Sequence, residues 1–176
     1  GTPKAESARR TLQALNPEID IVTHATRLTG EALVEAVRGV DVVVDGTDNF
    51  ESRFELNRVC VAERRPLVYG AVVGMEGQAS LFRADLDDSP CYACLYRDLE
   101  AHPDATRPSS SWENCTGQGV LGPVAGIVGC IQATEALKLL LGIGTGLVGR
   151  LLLVDARSME FHWFELRKDP NCTVCS

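Results

Sequence analysis

Four cysteines in two C-x-x-C pairs, Cys91 with Cys94 and Cys172 with Cys175, carry the strongest chemical signal in this chain, with 77 residues between the pairs. Two short-range thiolate pairs suit a tetrahedral Zn2+, each forming a tight knuckle with Zn–S bonds of about 2.3 Å. Four cysteine ligands leave no open coordination position, so such an ion is structural and not catalytic. A dithiol redox pair and secreted-type disulfides are the competing readings. A redox motif, however, needs one pair and gives no reason for a second.

A second group surrounds Asp48. The run Asp41 to Asp45 (DVVVD) is short and β-branched, as a strand buried on both faces of a parallel sheet reads. Gly46-Thr-Asp48-Asn49 then leaves the strand's C-terminal end, the edge where open α/β sheets bind ligands. A carboxylate there can coordinate Mg2+ and orient a nucleotide phosphate for attack. The alternative for Asp48 is that it only helps to start the following helix, for which Asn49 is the expected N-cap. Cys115 lies just before Gly117-Gln-Gly119 and a long apolar helix. A helix N-terminus favours the thiolate, so Cys115 is either a nucleophile or an accidental thiol at the end of a polar loop. Cys60 and Cys130 read as inert core residues. Lys4, in the first turn of the opening helix, has no local role beyond solvation, and His24, His102 and His162 form no metal or triad pattern.

The elements that must position these residues follow from periodicity. Lys4 to Leu15 is a helix stopped by Asn16-Pro17, Ile19 to His24 alternates as a strand, and Thr29-Gly30 opens a helix over Glu31 to Arg38. A helix from Phe50 to Arg64 follows Asn49, and Leu67 to Val73 is a second buried strand. This alternation predicts βαβ units in a largely parallel sheet. Gly77 to Ala84 reads as a strand leading to the first cysteine pair, and Arg97 to Asn114 as an exposed polar loop. Val120 to Leu141 is apolar almost all round and is therefore expected to be buried. Arg150 to Asp155 and Glu160 to Arg167 suggest a hairpin. Gly144-Thr-Gly146-Leu-Val-Gly149 spells G-x-G-x-x-G, but a helix precedes it and a strand follows, the reverse of the dinucleotide fingerprint.

At 176 residues, 45% apolar, the chain can bury one good core. Its net charge of −7 argues against nucleic acid as a partner. The longest apolar candidate, Val120 to Leu141, is interrupted by Gly122, Pro123, Gln132, Glu135 and Lys138, so no membrane span is expected. Seven cysteines without a secretory signal segment point to a reducing, cytoplasmic setting.

Taken together, the chain resembles the MoeB/ThiF/HesA adenylating enzymes, relatives of ubiquitin-activating enzymes. The resemblance rests on Gly1-Thr-Pro-Lys4-Ala-Glu-Ser7, Leu15-Asn-Pro17, Val44-Asp-Gly-Thr-Asp48-Asn49, Gly70 through Gln78, Cys91-Tyr-Ala-Cys94, Gly119 through Val124, Gln132 through Lys138, and Pro170 through Cys175, in the family's order. It implies a Rossmann-like α/β fold with a mostly parallel sheet, an antiparallel C-terminal extension and a zinc knuckle. It also implies a function: adenylation, by ATP and Mg2+, of the C-terminal Gly-Gly of a ubiquitin-like sulfur-carrier protein. Asp48 matches the catalytic, metal-orienting aspartate, Lys4 an ATP-contacting lysine and Asn49 an adjacent nucleotide contact. Cys115 matches a cysteine that bonds to the carrier in some members, and Cys91, Cys94, Cys172 and Cys175 match the zinc ligands. A homodimer is expected, with the long helix contributing contacts. The family's Gly-rich nucleotide loop, ribose-holding acid and phosphate-contacting arginines precede the segment matching Lys4. Residues 1–176 are therefore expected to be one adenylating domain lacking its N-terminal part. The alternative is a non-catalytic, zinc-stabilised module that docks a ubiquitin-like partner.

Overall fold

Alternation along the apolar run 67–73 decides how the core is built. The computed structural model describes residues 1–96 and 119–176. Its elements are α1 (Lys4–Leu15), α2 (Gly30–Arg38), β1 (Val43–Val44), α3 (Phe50–Ala62), β2 (Leu67–Val73), β3 (Glu76–Phe82), α4 (Tyr92–Leu95), α5 (Gly122–Leu141), β4 (Arg150–Asp155) and β5 (Glu160–Glu165). Successive side chains of a strand point to opposite faces. Leu67, Tyr69 and Ala71 of β2 therefore join Phe50, Phe54 and Cys60 of α3 and Tyr92 of α4 in one core cluster. Val68 faces the other way and joins Ala79, Leu81, Leu152, Val154 and Ala136 of α5 in a second. Both faces of β2 are covered, which is why it reads as an unbroken apolar run.

The strands form one sheet in the order β1-β2-β3-β4-β5. The α/β architecture matches the expectation, but the sheet is mixed: β1 and β2 are parallel, and each later pair is antiparallel. Connection length explains the two hairpins. The crossover through α3 returns β2 parallel to β1, whereas the connection from β3 to β4, through 83–149 and α5, is long enough for either direction and delivers β4 antiparallel. Gly74-Met75 joins β2 to β3 in two residues, with Gly74 at φ +57°, and so short a turn can only make a hairpin. The expected β4–β5 hairpin forms around Ala156–Met159.

Three expectations fail in informative ways. Ile19–His24 is not a strand: the chain turns through 17–19 and stays irregular to 24, with no neighbouring strand among the described residues to pair with it. Alternation supplies the pattern of a strand, but only a hydrogen-bonding partner makes one. Helix α5 is not buried all round. Val124, Val128, Gln132, Glu135 and Ala136 face the sheet, while Leu137, Leu140 and Leu141 are exposed. Cys130, taken as a core residue, is accordingly exposed, because two residues beyond Val128 is about 200° around a helix.

α5 is long and apolar enough to cross a membrane by length and composition alone, yet it packs across β1, β2 and β3. Two glycines permit that approach. A Cβ on Gly70 would lie 2.3 Å from the Gln132 side chain, and one on Gly77 would lie 2.5 Å from Val128. The charged interruptions serve the packing too. Buried Glu135 accepts the Leu147 N–H at 2.7 Å and pairs with Lys138, which also donates to the Thr145 carbonyl at 2.8 Å. After α5 the chain stops on Gly142 (φ +64°) and runs through 144–149 into β4, so the G-x-G-x-x-G spelling does lie between helix and strand.

Candidate active site and metal centre

The Asp45–Asn49 loop leaves β1 at its C-terminal end and is held from below by buried polar side chains. Asp45 is 1% exposed, and its N–H donates to the Val68 carbonyl at 2.9 Å, continuing the β1–β2 ladder. Its Oδ1 accepts the Thr47 N–H at 2.8 Å. From α3, Arg53 sends Nη2 to the Thr47 carbonyl at 2.7 Å and places Nε 3.9 Å from Asp45 Oδ2. The guanidinium also lies 5.9 Å from the Phe50 ring and 5.8 Å from that of Tyr69, near enough for cation–π attraction. From α5, Gln132 Nε2 donates to the Asp45 carbonyl at 2.6 Å and to the Val68 carbonyl at 3.3 Å. Burial pushes the Asp45 carboxyl above its ordinary range, and the Thr47 hydrogen bond and the Arg53 charge pull it part of the way back.

Asp48 stands on this support with its side chain exposed, and the Asn49 amide donates to its Oδ1 at 3.1 Å. Asn49 Oδ1 accepts the Ser52 N–H at 2.9 Å, the N-cap geometry expected for α3. Capping therefore belongs to Asn49, and Asp48 is left presented at the strand end. Lys4 occupies the first turn of α1, a helix with no buried residue, and among the described residues no hydrogen bond or ion pair joins it to Asp48. Cys115 lies outside the described residues. Cys60 is buried, its thiol pushed up to about 12 by desolvation and by the Asp45 charge, as suits an inert core residue.

Arg53, Gln132 and buried Asp45 escaped the sequence reading. Their signals were a carboxylate closing a β-branched run and two polar residues on otherwise apolar packing faces.

The second site lies at the far end of α3. The sulfurs of Cys91, Cys94, Cys172 and Cys175 all fall within 4.8 Å of one another. A tetrahedron with Zn–S bonds of about 2.3 Å has S···S edges of about 3.8 Å. The observed separations are 3.7 Å for Cys91–Cys172, 3.5 Å for Cys94–Cys175 and 4.0 Å for Cys91–Cys94, and all four cysteines are free of disulfides. A four-cysteine cluster of these dimensions could hold a zinc ion. N–H groups address the sulfurs, from Asn57 Nδ2 to Cys91 and from the Asp169 backbone to Cys94, both at 3.5 Å. Hydrogen bonding from Cys91, with help from the Asp169 N–H, holds the Cys94 thiol down at about 4. Burial pushes Cys175 up to about 12, and the hydrogen bond to Cys94 together with burial pushes Cys91 up as well. Four thiols gathered this closely cannot all ionise unless a cation offsets their mutual repulsion. That is the chemistry of a metal-ligand set.

The ThiF family matches residues 1–174. The chain belongs to the ThiF family. Among relatives, the SAMP-activating enzyme E1 of Haloferax volcanii is 46% identical over 175 residues, covering 99% of this chain and 61% of that protein. The sulfur carrier protein adenylyltransferase of Thermus thermophilus is 40% identical over 99% of this chain and 63% of its own length. The adenylyltransferase and sulfurtransferase MOCS3 of Aedes aegypti is 39% identical over 100% of this chain and 38% of its own. The ThiF-family chain thus spans less than two thirds of the length of these relatives. In fold it is similar to E. coli MccB bound to ATP, with a TM-score of 0.76 at 19% identity, covering 100% of this chain and 51% of that one.

Proposed function

We propose that this ThiF-family chain is part of an ATP-dependent adenylyltransferase that activates the C-terminal glycine of a ubiquitin-like sulfur carrier. The observation that carries the reading is the exposed Asp48 carboxylate at the C-terminal end of β1, held up by Asp45, Arg53 and Gln132. The names of its relatives, as a SAMP-activating E1 and as a sulfur carrier adenylyltransferase, point to the same substrate class. Bound ATP and Mg2+ would supply the electrophilic α-phosphate and the charge that neutralises it. Asp48 would hold the cation with one carboxylate, as Mg2+ sites commonly require. Asn49 would orient that carboxylate through its side-chain amide while capping α3. The rigid support matters because positioning, more than covalent chemistry, dominates phosphoryl-type transfer. Lys4 is assigned a nucleotide contact and Cys115 the role of covalent acceptor for the activated carrier.

The four cysteines are assigned one structural Zn2+, with Cys91 and Cys94 contributed from the start of α4 and Cys172 and Cys175 from the tail. The reading extends to a cytoplasmic homodimer, for which exposed Leu137, Leu140 and Leu141 on α5 offer an apolar face. The test is carrier-dependent pyrophosphate exchange in the whole protein. Asp48→Ala should lower exchange by more than a hundredfold while carrier binding stays within about threefold, because the carboxylate acts mainly in the transition state. Exchange within about threefold of wild type would refute the assignment of Asp48.

A further inference from the structure

Asn57 sits in the middle of α3 and is 1% exposed. A buried amide inside a helix has no share in the helix ladder, so its polar atoms must find tertiary partners. It finds both at the cysteine knuckle. Its Oδ1 accepts the Tyr92 N–H at 3.0 Å, and its Nδ2 donates to Cys91 Sγ at 3.5 Å. The amide's orientation follows from chemistry: a backbone N–H can only donate, so the carbonyl must face Tyr92 and the NH2 group must face sulfur. An N–H aimed at sulfur gains most when that sulfur is an anionic thiolate, as a metal ligand is.

α3 also reaches the other site. One turn before Asn57, Arg53 donates to the Thr47 carbonyl, and Asn49 at the helix start holds Asp48. Between the two ends lies a packed aromatic layer, with Tyr92 centred 5.1 Å from Phe54, 5.2 Å from Tyr69 and 4.9 Å from Tyr96.

We propose that Asn57 is an outer-shell residue of the four-cysteine metal site, orienting Cys91 by its N–H···S bond and fastening the metal knuckle to the helix that carries the Asp48 loop. The proposal rests on the zinc assignment above. Outer-shell partners of metal ligands are worth about 10- to 100-fold in metal affinity. A residue that merely filled space would be replaceable by leucine, which has nearly the same shape.

The experiment uses the whole protein loaded with Zn2+ and titrated with a competing chelator, followed by replacement of Zn2+ with Co2+. Asn57→Leu should surrender zinc with 10- to 100-fold lower affinity than wild type. Its sulfur-to-Co2+ charge-transfer band should move to lower energy, because a thiolate without its hydrogen bond is more easily oxidised. Phe54→Leu, which disturbs the same helix without touching sulfur, should hold zinc within about threefold of wild type and leave the band in place. If Asn57→Leu does not fold, Asn57→Asp at pH 8 keeps the acceptor for Tyr92, removes the donor and should shift in the same direction. Amide hydrogen exchange reads the fastening: chelating zinc from wild type should speed exchange at Thr47 and Arg53, and Asn57→Leu should show that faster exchange with zinc still bound. A wild type that takes up no zinc overturns the metal assignment itself. A wild type that binds zinc while Asn57→Leu matches it within twofold, with an unmoved band, overturns the role of Asn57 alone. Exchange changes confined to 91–96 and 169–176 overturn the fastening.

Discussion

Gly70→Ala tests the support beneath the Asp48 loop most sharply. The new Cβ would lie 2.3 Å from Gln132 Cδ, 2.5 Å from Oε1 and 2.6 Å from Nε2, distances that real side chains do not tolerate. The clash falls on the amide group itself, so Gln132 must swing off its bonds to the carbonyls of Asp45 and Val68. Val68 retains the Asp45 N–H as a donor, so its loss is small. The Asp45 carbonyl and the displaced amide each lose a buried partner, at about 1–3 kcal/mol apiece. Alanine regains about 0.5–1 kcal/mol over glycine in a strand. The net expectation is a destabilisation of about 1–5.5 kcal/mol, read by urea unfolding of the zinc-loaded protein. A double-mutant cycle separates the mechanism from generic damage. In Gly70→Ala/Gln132→Ala the second truncation vacates the space the new methyl needs, so the pair should cost at least 1 kcal/mol less than the sum of the singles. A Gly70→Ala cost below about 0.5 kcal/mol, or a cycle that is additive, would falsify the claim that Gln132 occupies this space as a clamp.

Two further outcomes follow from the buried groups. The Asp45 carboxyl is raised above its ordinary 3.8 by desolvation, so the folded state binds a proton more readily than the unfolded one. The stability this confers is complete below 3.8 and is lost as pH rises through the folded value. Wild type should therefore lose stability relative to Asp45→Asn on going from pH 3 to neutrality, and a difference that is flat or rises with pH would contradict the assignment. Alkylation with iodoacetamide at pH 8, mapped by peptide mass analysis, should label exposed Cys130 and spare Cys60, whose buried thiol is pushed up to about 12. Equal labelling of the two would mean that the packing around Cys60 opens readily.

What the sequence by itself determined is local. The C-x-x-C spacing makes each cysteine pair a knuckle wherever it lies, the β-branched run before Asp48 declares a strand end, and Asn49 caps the helix it begins. These features depend on neighbours a few residues away, and Asn49 caps α3 as expected, whereas the meeting of the two cysteine pairs, 81 residues apart, within 4.8 Å is the work of the fold. Only the tertiary structure decided what depends on a distant partner. Ile19–His24 alternates like a strand and remains irregular, because a strand is completed by a neighbour. α5 is apolar almost all round, so its composition could not say which face meets the sheet; Gly70 and Gly77 leave room there for Gln132 and Val128. The buried group of Asp45, Arg53 and Gln132 joins a strand end, a helix and a second helix 87 residues from Asp45. Desolvation penalises each of these polar groups separately, and their meeting in the fold gives the Asp45 carbonyl, Arg53 Nη2 and the Gln132 amide their partners, while Arg53 Nε keeps only its 3.9 Å approach to Asp45.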